Sequence, residues 1–354
     1  MTKHHFVPVS IISTFASDQA WRVVNAAPDT RARIANVDKE VMANGQKKRC
    51  WPICVYQKDR KRMTRMEARD VCSMPNLYSV LDQNEQLIRA LIRYILEDDP
   101  APTSLDELLR LGERPLDPDM IENTHVGGLD GGFASILPAL RAGQQINDMQ
   151  INTIRRFITF ARFRTPVWQR IHYPVAFEKK QRQLKEIILR NWNESQINKL
   201  TNKSLEAINA AFDNNLYQIA IIQACKLETN ALSRINAKIL VLHRNGPTPF
   251  VTCDNPARPY FPDRIRRIDM EAIPGMGNAR SQLTFPIDPN TCLLISSNAR
   301  YSAFTHEAVN DKQIRKINCA LALMADKQII FADPNTNVFE NWLDLNNLKQ
   351  IIRP

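Results

Sequence analysis

Two adjacent histidines near the start of the chain, His4 and His5, are the residues best suited to chemistry. Imidazole titrates close to neutral pH, so it serves in proteins as a proton acceptor and as a metal ligand. The sequence has six histidines in 354 residues, and a core gains little from two placed side by side. The pair therefore predicts a functional site.

A second group of polar residues follows an apolar stretch in the C-terminal half. Asp254 and Asn255 come directly after Phe250-Val251-Thr252-Cys253 and precede Pro256. A carboxylate and an amide at a strand end, on a turn fixed by proline, are typical of groups that a sheet presents for function. The alternative is an Asx turn, in which Asp254 accepts nearby backbone N–H groups. Taken alone, the pattern favours the Asx turn.

These residues make up a set that a phosphoester-cleaving site would use. One imidazole would act as a general base or metal ligand, the carboxylate would orient it or hold a cation, and an arginine would offset phosphate charge. A divalent metal ion fits the set, although the sequence assigns no ligand to it. The candidate catalytic residues are His4, His5, Asp254, Asn255, Glu97 and Arg164.

A competing interpretation treats the same motifs as a structural lock. The N-terminal His-His-x-x-Pro segment would dock beside the Asp-Asn-Pro turn, with neutral imidazoles donating to Asp254 or to backbone carbonyls. The protein would then be a non-catalytic nucleic-acid-binding or regulatory module. Exposure separates the two interpretations, because catalysis needs an open pocket and a lock needs a packed, fully hydrogen-bonded cluster.

The charge distribution favours acidic partners. The chain carries a formal net charge of +10, and residues 47–69 hold nine Lys or Arg against two acids, with Trp51 and Tyr56 between them. Basic residues interleaved with aromatics are typical of nucleic-acid binding. Residues 97–122 reverse the balance, with nine acids against two arginines, so the basic segment has an internal partner as an alternative. The candidate nucleic-acid-binding residues are Lys47, Lys48, Arg49, Lys58, Arg60, Lys61 and Arg62.

Composition limits the cellular setting. No stretch reaches the roughly 18 apolar residues of a membrane span, and the start lacks the apolar region of a secretory signal. Seven scattered cysteines predict free thiols rather than a disulfide framework. We therefore expect a cytoplasmic protein without a membrane partner, and its oligomeric state stays open.

Hydrophobic periodicity predicts the main elements. It predicts a short helix or turn over Val9–Phe15, an irregular basic region to about Asn76, and a helix beginning near Asp82. It also predicts a flexible connection at the glycine-rich residues 125–132, a helix from Asn147 that stops at Arg164-Thr165-Pro166, and a helix at about 310–324. Short apolar runs predict strands at 238–243, 249–252, 283–287, 292–296 and 328–332.

These elements predict an α+β fold, with a helix-rich N-terminal two thirds followed by a mixed or antiparallel sheet. We expect residues 1–235 to be mainly helical and to include the basic segment 47–69. Residues 236–354 should be sheet-rich and carry the Asp-Asn-Pro turn. The N-terminal segment should dock onto the C-terminal part, within one continuous domain.

The chain resembles a family of mostly bacterial proteins catalogued as domain of unknown function 4238. Lys3 to Pro8 matches its Lys-His-His-aromatic-Val-Pro signature, and Thr252 to Pro256 matches its Thr-Ser-Asp-Asn-Pro signature, with Cys253 in place of serine. The resemblance implies a domain that extends over most of the chain and supplies no activity. Further matches, in the family's order, are Asn76-Leu77-Tyr78, Glu97, Arg164-Thr165-Pro166 and Phe285-Pro286-Ile287-Asp288-Pro289.

Overall fold

The computed structural model describes part of the chain. The described residues are 3–16, 40–41, 47–48, 52–60, 62–75, 86, 89–90, 93, 105–113, 115, 126–168, 221, 230, 232, 237–257, 259–260, 282–296 and 304–332. The strands are β1 (Lys3–His5), β2 (Glu40–Val41), β3 (Lys47–Lys48), β4 (Pro52–Gln57), β5 (Arg62–Glu67), β6 (Ser73–Pro75), β7 (Lys238–Arg244), β8 (Thr252–Cys253), β9 (Pro259–Tyr260), β10 (Gln282–Asp288), β11 (Thr291–Ser296), β12 (Phe304–Val309) and β13 (Gln328–Phe331). The helices are α1 (Val9–Ile12), α2 (Leu105–Leu111), α3 (Gly127–Arg141), α4 (Asp148–Phe163) and α5 (Asp311–Met324), with a 3-10 turn at Ser13–Phe15 and another at Ala68–Asp70.

A five-stranded mixed sheet has the order β12-β7-β11-β10-β9. Strand β12 runs parallel to β7, and the other neighbours are antiparallel. An irregularity between Pro286 and Asp288 in β10 brings Asp288 opposite Thr291. A bulge of this kind redirects a side chain at the end of a strand pair, and here it places Asp288 in one cross-strand row with Thr291 and His243.

Helices α3 and α4 cover one face of this sheet. The rings of Phe133 and Phe157 stack with centroids 3.8 Å apart, and both meet the ring of Phe285 in β10 edge-on. Helix α4 begins with a capping box, in which Asn147 and Gln150 satisfy each other's backbone N–H groups. A Cβ on Gly132 would lie 3.4 Å from the Thr153 side chain, so the two helices are in contact at this position.

A four-stranded antiparallel sheet, in the order β5-β4-β13-β8, combines strands from both ends of the chain. Its inner residues share one hydrophobic core with α5 and with the second face of the five-stranded sheet. This core includes Cys54 and Phe331 from the four-stranded sheet, Leu321 from α5 and Leu240 from β7. Strands β1 and β6 form a two-stranded sheet, as do β2 and β3.

The chain divides into two compact units. One consists of residues 1–4, 75–131 and 166–227, and the other of residues 5–74, 132–165 and 228–354. In the first, the guanidinium of Arg89 donates to the Gly112 carbonyl at 2.7 Å and that of Arg93 to the Pro115 carbonyl at 2.9 Å. Both carbonyls lie in the segment that follows the end of α2 at Leu111.

The α+β class is correct, and most predicted elements in the described residues are confirmed. They are the helices at 9–15, 148–163 and 311–324 and the strands around 238–244, 252–253, 282–288, 291–296 and 328–331. The cysteines at 54, 72, 253, 292 and 319 are free thiols. The division of the chain at residues 235 and 236 stays a prediction.

Two predictions of irregular structure are wrong. The basic region before Asn76 contains the hairpin β4–β5, which is part of the four-stranded sheet. The glycine-rich residues 127–132 begin helix α3, because Phe133, Ile136, Leu137 and Leu140 are all buried on one face of it. That spacing has the period of an amphipathic helix and outweighs the low helix propensity of the glycines.

Candidate functional site

The Asp254 carboxylate accepts three backbone N–H groups from the connection between α5 and β13. Asp326 N–H donates to Oδ1 at 2.8 Å, while Lys327 N–H and Gln328 N–H donate to Oδ2 at 2.7 and 3.0 Å. The Asp254 N–H in turn donates to the Gln328 carbonyl at 3.1 Å. Asp254 is only 4% exposed, so its carboxylate is committed to ordering a turn more than 70 residues later.

Burial and hydrogen bonding act on this carboxylate in opposite directions. Removal from water raises the pKa of Asp254 from 3.8 to about 6, although the three backbone donors favour the charged form and oppose the shift. Close to neutral pH the carboxylate is therefore mostly ionised. Its negative charge matches the three N–H dipoles directed at it.

Two more side chains complete the connection between α5 and β13. The amide of Asn255, itself 3% exposed, donates to the Met324 carbonyl at 3.0 Å. The ammonium of Lys58, in the turn between β4 and β5, donates to the Ala322 carbonyl at 3.1 Å and to the Ala325 carbonyl at 2.6 Å. We call residues 322–328 the helix–strand corner. Three carbonyls at the C-terminal end of α5, which have no partner in the helix itself, are thus satisfied by side chains.

Hydrogen bonds continue from the corner toward the N-terminal signature. The side-chain oxygen of Gln328 accepts the Cys72 N–H at 3.2 Å, and the Cys72 carbonyl accepts the Phe6 N–H at 2.9 Å. Cys72 has a φ of 53°, which is unusual for a residue other than glycine. Both backbone groups of Cys72 are engaged in these bonds, which stabilise that conformation. Burial is the main cause that raises the pKa of the Cys72 thiol, with Asp254 adding to it, so this thiol is not activated as a nucleophile.

The segment that follows the two histidines packs inward. Val7, Ile11, Ile12 and Phe15 are fully buried, and the Thr14 hydroxyl donates to the Ile287 carbonyl of β10 at 2.8 Å. His5 lies at the end of β1 with a partly buried side chain. The His4 side chain lies outside the described part of the chain. Among the described residues, every donor to the Asp254 carboxylate is a backbone N–H group.

Arg164 is fully buried at the C-terminal end of α4. Its guanidinium lies over the rings of Phe160 and Phe157, at 5.2 and 5.7 Å from the centroids. Contact with aromatic faces stabilises a cation within a core. This surrounding favours a structural role, and any contact with phosphate stays a prediction.

The remaining predicted site residues are described only in part. Arg60 is exposed in the turn between β4 and β5, where its backbone N–H donates to the Asp59 carboxylate at 2.9 Å. Lys47 and Lys48 form β3 and Arg62 begins β5, but nothing of these side chains is described. Arg49, Lys61 and Glu97 lie outside the described residues. The Lys58 ammonium, in contrast to the exposed Arg60, is bound to carbonyls at the end of α5.

Sequence reasoning missed a second polar cluster, on the face of the five-stranded sheet that α3 and α4 cover. His243 Nε2 lies 2.8 Å from His306 Nδ1, and His306 Nε2 lies 2.9 Å from the Gln144 carbonyl oxygen. Nearby, Arg141 forms an ion pair of 2.7 Å with Asp288. Burial and the neighbouring His306 lower the pKa of His243, and Asp288 opposes the shift. The two histidines are 63 residues apart, so no local spacing could have revealed the pair.

Two features are absent from the described ranges. No group of three or more His, Cys, Asp or Glu side chains there is arranged to hold a metal ion. No helix in the same ranges is long and apolar enough to cross a membrane.

A comparison against protein families agrees with the two sequence signatures. The model of a family described as a protein of unknown function (DUF4238) matches residues 3–335, nearly the whole chain. The chain therefore belongs to that family, as the signatures at Lys3–Pro8 and Thr252–Pro256 indicate. No curated protein and no solved structure matches it.

Proposed function

We propose that the protein is a non-catalytic nucleic-acid-binding module in which the Asp-Asn-Pro signature is structural. The observation that carries the structural half is the Asp254 carboxylate, which is 4% exposed and already accepts three backbone N–H groups. A general base or metal ligand needs a lone pair that can reach a substrate or a metal ion. The Asp254 carboxylate and the Asn255 amide nitrogen are both bound to the helix–strand corner instead.

The N-terminal signature takes the matching role in this proposal. His-His-x-x-Pro starts the segment whose residues Ile11, Ile12 and Phe15 are fully buried. We propose that this segment docks onto the C-terminal part through the Thr14 bond to β10 and through the bonds that join Phe6, Cys72 and Gln328. The histidines then fix the start of the chain rather than perform chemistry.

The binding half rests on charge. The net charge of +10 favours a polyanionic partner. The hairpin β4–β5 belongs to the basic segment 47–69, and its turn exposes Arg60. A protein of this kind would work in the cytoplasm, where nucleic acid is accessible.

Fluorescence anisotropy with labelled single-stranded and double-stranded oligonucleotides tests the binding half. We expect the affinity of the full chain to fall steeply as the salt concentration rises. In a plot of log affinity against log salt concentration, each neutralised phosphate steepens the slope by about 0.9 on duplex DNA and by about 0.7 on single strands. The double variant Arg60→Gln, Lys61→Gln should bind more weakly and show a smaller slope. The matched control, Lys312→Gln with Arg315→Gln, removes two charges from exposed positions on α5 and should leave the slope nearly unchanged.

Two outcomes contradict the proposal. Equal losses in the hairpin variant and the α5 control would mean that binding follows net charge and not this hairpin. Metal-dependent cleavage of the oligonucleotides, abolished by His5→Ala, would instead support the phosphoester-cleaving interpretation. Gel electrophoresis of the oligonucleotides recovered from the anisotropy samples reports cleavage, so binding and cleavage are tested on the same material.

A further inference from the structure

The connection between β7 and β8 contains an asparagine followed directly by glycine, Asn245-Gly246. In such a pair the backbone nitrogen of glycine can attack the side-chain amide carbon of asparagine, because glycine has no Cβ to obstruct the approach. The product is a five-membered cyclic imide, which water opens to aspartate or isoaspartate. The sequence contains one other such pair, Asn44-Gly45, which lies outside the described residues.

The groups that would react are exposed and are not engaged elsewhere. Both Asn245 and Gly246 are exposed. The Asn245 backbone N–H donates to the Val309 carbonyl at 2.9 Å. Among the described residues, however, no hydrogen bond uses the Asn245 side chain or the Gly246 N–H. The nucleophile and the amide that it attacks are therefore both accessible in the folded chain.

The geometry of the connection depends on glycine at position 246. Its φ is 147°, a conformation that residues with a side chain rarely adopt. A Cβ at this position would also lie 2.5 Å from Oδ1 of Asp311. That oxygen accepts the Thr248 N–H at 3.1 Å, so it is not free to move away. The residue type that this backbone needs is thus the one that leaves Asn245 most open to attack.

We propose that Asn245 is a site of spontaneous deamidation, in which the reactants are the chain itself and water. The Gly246 nitrogen loses its proton to hydroxide and forms a bond to Cγ of Asn245. The bond from Cγ to Nδ2 breaks, and this nitrogen takes a proton from water and leaves as ammonia. Water then adds to one imide carbonyl and breaks its bond to the Gly246 nitrogen. Addition at Cγ gives aspartate, addition at the backbone carbonyl gives isoaspartate, and neither route needs an oxidant or a reductant.

Isoaspartate would change the main chain where it is held on both sides. The Asn245 N–H is bound to Val309 of β12, and the Thr248 N–H is bound to Asp311 of α5. Isoaspartate inserts one additional carbon atom into the main chain between these two N–H groups. We expect at least one of the two bonds to weaken, because their present geometry fits the shorter chain. The connection leads into β8 and the Asp-Asn-Pro signature, so the modification would loosen the approach to that signature.

Peptide mapping of the full chain by mass spectrometry tests the modification. The protein is held at mildly alkaline pH, either folded in buffer or unfolded in guanidinium chloride, and is then cut with a protease that does not cleave after Arg244. We expect the rate constant at Asn245 in the folded chain to lie within about tenfold of that in the unfolded chain, because exposed turns open locally at a cost near zero. A larger slowing in the folded chain would overturn the proposal, since the fold would then protect Asn245.

Asn245→Gln is the matched control for the chemistry. Attack on a glutamine amide requires a six-membered ring, which closes far more slowly, so the modified form of this peptide should disappear. The peptide that contains Asn44 should react as in the parent protein. A modified form of the 245 peptide at the parental rate in Asn245→Gln would overturn the assignment to Asn245.

Hydrogen exchange with residue resolution tests the structural consequence. The isoaspartate form is separated from the unmodified chain by ion exchange. Protection of the Asn245 or the Thr248 N–H should fall about two- to tenfold, the effect of one net hydrogen bond, while the middle of β7 stays unchanged. Asn245→Asp adds the charge without the additional carbon atom and should keep parental protection. Unchanged protection of both N–H groups in the isoaspartate form would overturn this part of the proposal.

Discussion

The Asp254 carboxylate accepts the backbone N–H of Lys327 at 2.7 Å, which joins two residues 73 positions apart in the chain. The same carboxylate oxygen accepts a second N–H from Gln328. Asp254 follows β8, and Lys327 lies directly before β13, the strand that pairs with β8. The hydrogen bonds of the carboxylate therefore lie directly beyond the end of the pairing between these two strands.

Burying a carboxylate costs free energy of folding. Its net contribution to stability depends on which groups would lose a hydrogen-bond partner without it. Charge removed from water destabilises the folded state, which is why burial raises the pKa of Asp254. Removal of the carboxylate would leave three N–H groups of the helix–strand corner without an acceptor. We expect the second cost to exceed the first, because three donors would lose their acceptor together and each costs roughly 1 to 3 kcal/mol where water does not replace it.

Asn255→Ala should destabilise the fold by about 1 to 3 kcal/mol, because it removes the only side-chain donor described for the Met324 carbonyl. Equilibrium unfolding in urea measures the change. The control is Asn245→Ala, since the Asn245 side chain is exposed and only its backbone N–H is used, in a bond to Val309. Equal changes in the two variants would contradict the role assigned to Asn255.

Lys58→Met and Arg60→Gln should have opposite phenotypes although the residues are two positions apart. Lys58→Met keeps the aliphatic stem but removes the ammonium from two carbonyls at the end of α5, so we expect a loss of about 1 to 2 kcal/mol in the free energy of unfolding. Arg60→Gln should leave stability within about 0.5 kcal/mol and weaken oligonucleotide binding. Unfolding curves and anisotropy titrations on both proteins check the pair, and one shared phenotype would refute it.

Titration of Asp254 should give stability a defined pH dependence. Its pKa is raised from 3.8 to about 6 on folding, so the folded state binds the proton more tightly. The resulting stabilisation is fully present below pH 3.8 and is lost as pH rises through about 6. Asp254→Asn does not titrate at this position. The free energy of unfolding of the parent protein, relative to that variant, should fall between these two pH values, and a rise would contradict the shift.

His243 should contribute with the opposite sign. Burial lowers its pKa from 6.5 on folding, so the unfolded state binds the proton more tightly. The stabilisation is fully present above pH 6.5 and is lost as pH falls toward the lowered pKa. Unfolding measured against His243→Gln isolates this contribution. A difference between the two proteins that stays constant from pH 7.5 to about pH 5 would be inconsistent with a lowered pKa of the partly buried His243.

Elements with strong local patterns could be predicted from the sequence, whereas the edge strands β5 and β12 could not. The apolar runs of β10 and β11 are buried along nearly their whole length, so hydrophobicity reports them directly. Strand β5 is the edge of the four-stranded sheet and β12 the edge of the five-stranded one. Edge strands tolerate charged and polar residues that discourage pairing with other chains, and Arg62-Met-Thr-Arg-Met-Glu therefore resembles a loop.

The candidate site was predictable as a set of residues but not as a set of contacts. The sequence places Asp254 and Asn255 after a strand, and both the Asx-turn and the catalytic interpretations need that position. The residues that decide between them, Asp326 to Gln328, lie beyond α5 and contribute backbone atoms only. A partner that acts through its backbone leaves no side-chain signal in the sequence. The His243–His306 pair could not be predicted for a different reason, since the two residues are 63 positions apart.

The unfolding free energy of Asp254→Ala tests most directly whether the signature is structural. Three N–H groups of the corner would lose their acceptor, so we predict a loss of about 3 to 5 kcal/mol, against less than about 0.5 kcal/mol for the exposed control Asp59→Asn. Oligonucleotide affinity measured under conditions where the variant stays folded should be unchanged. A variant of parental stability would contradict the account, because the Asp254 carboxylate would then not hold the corner together.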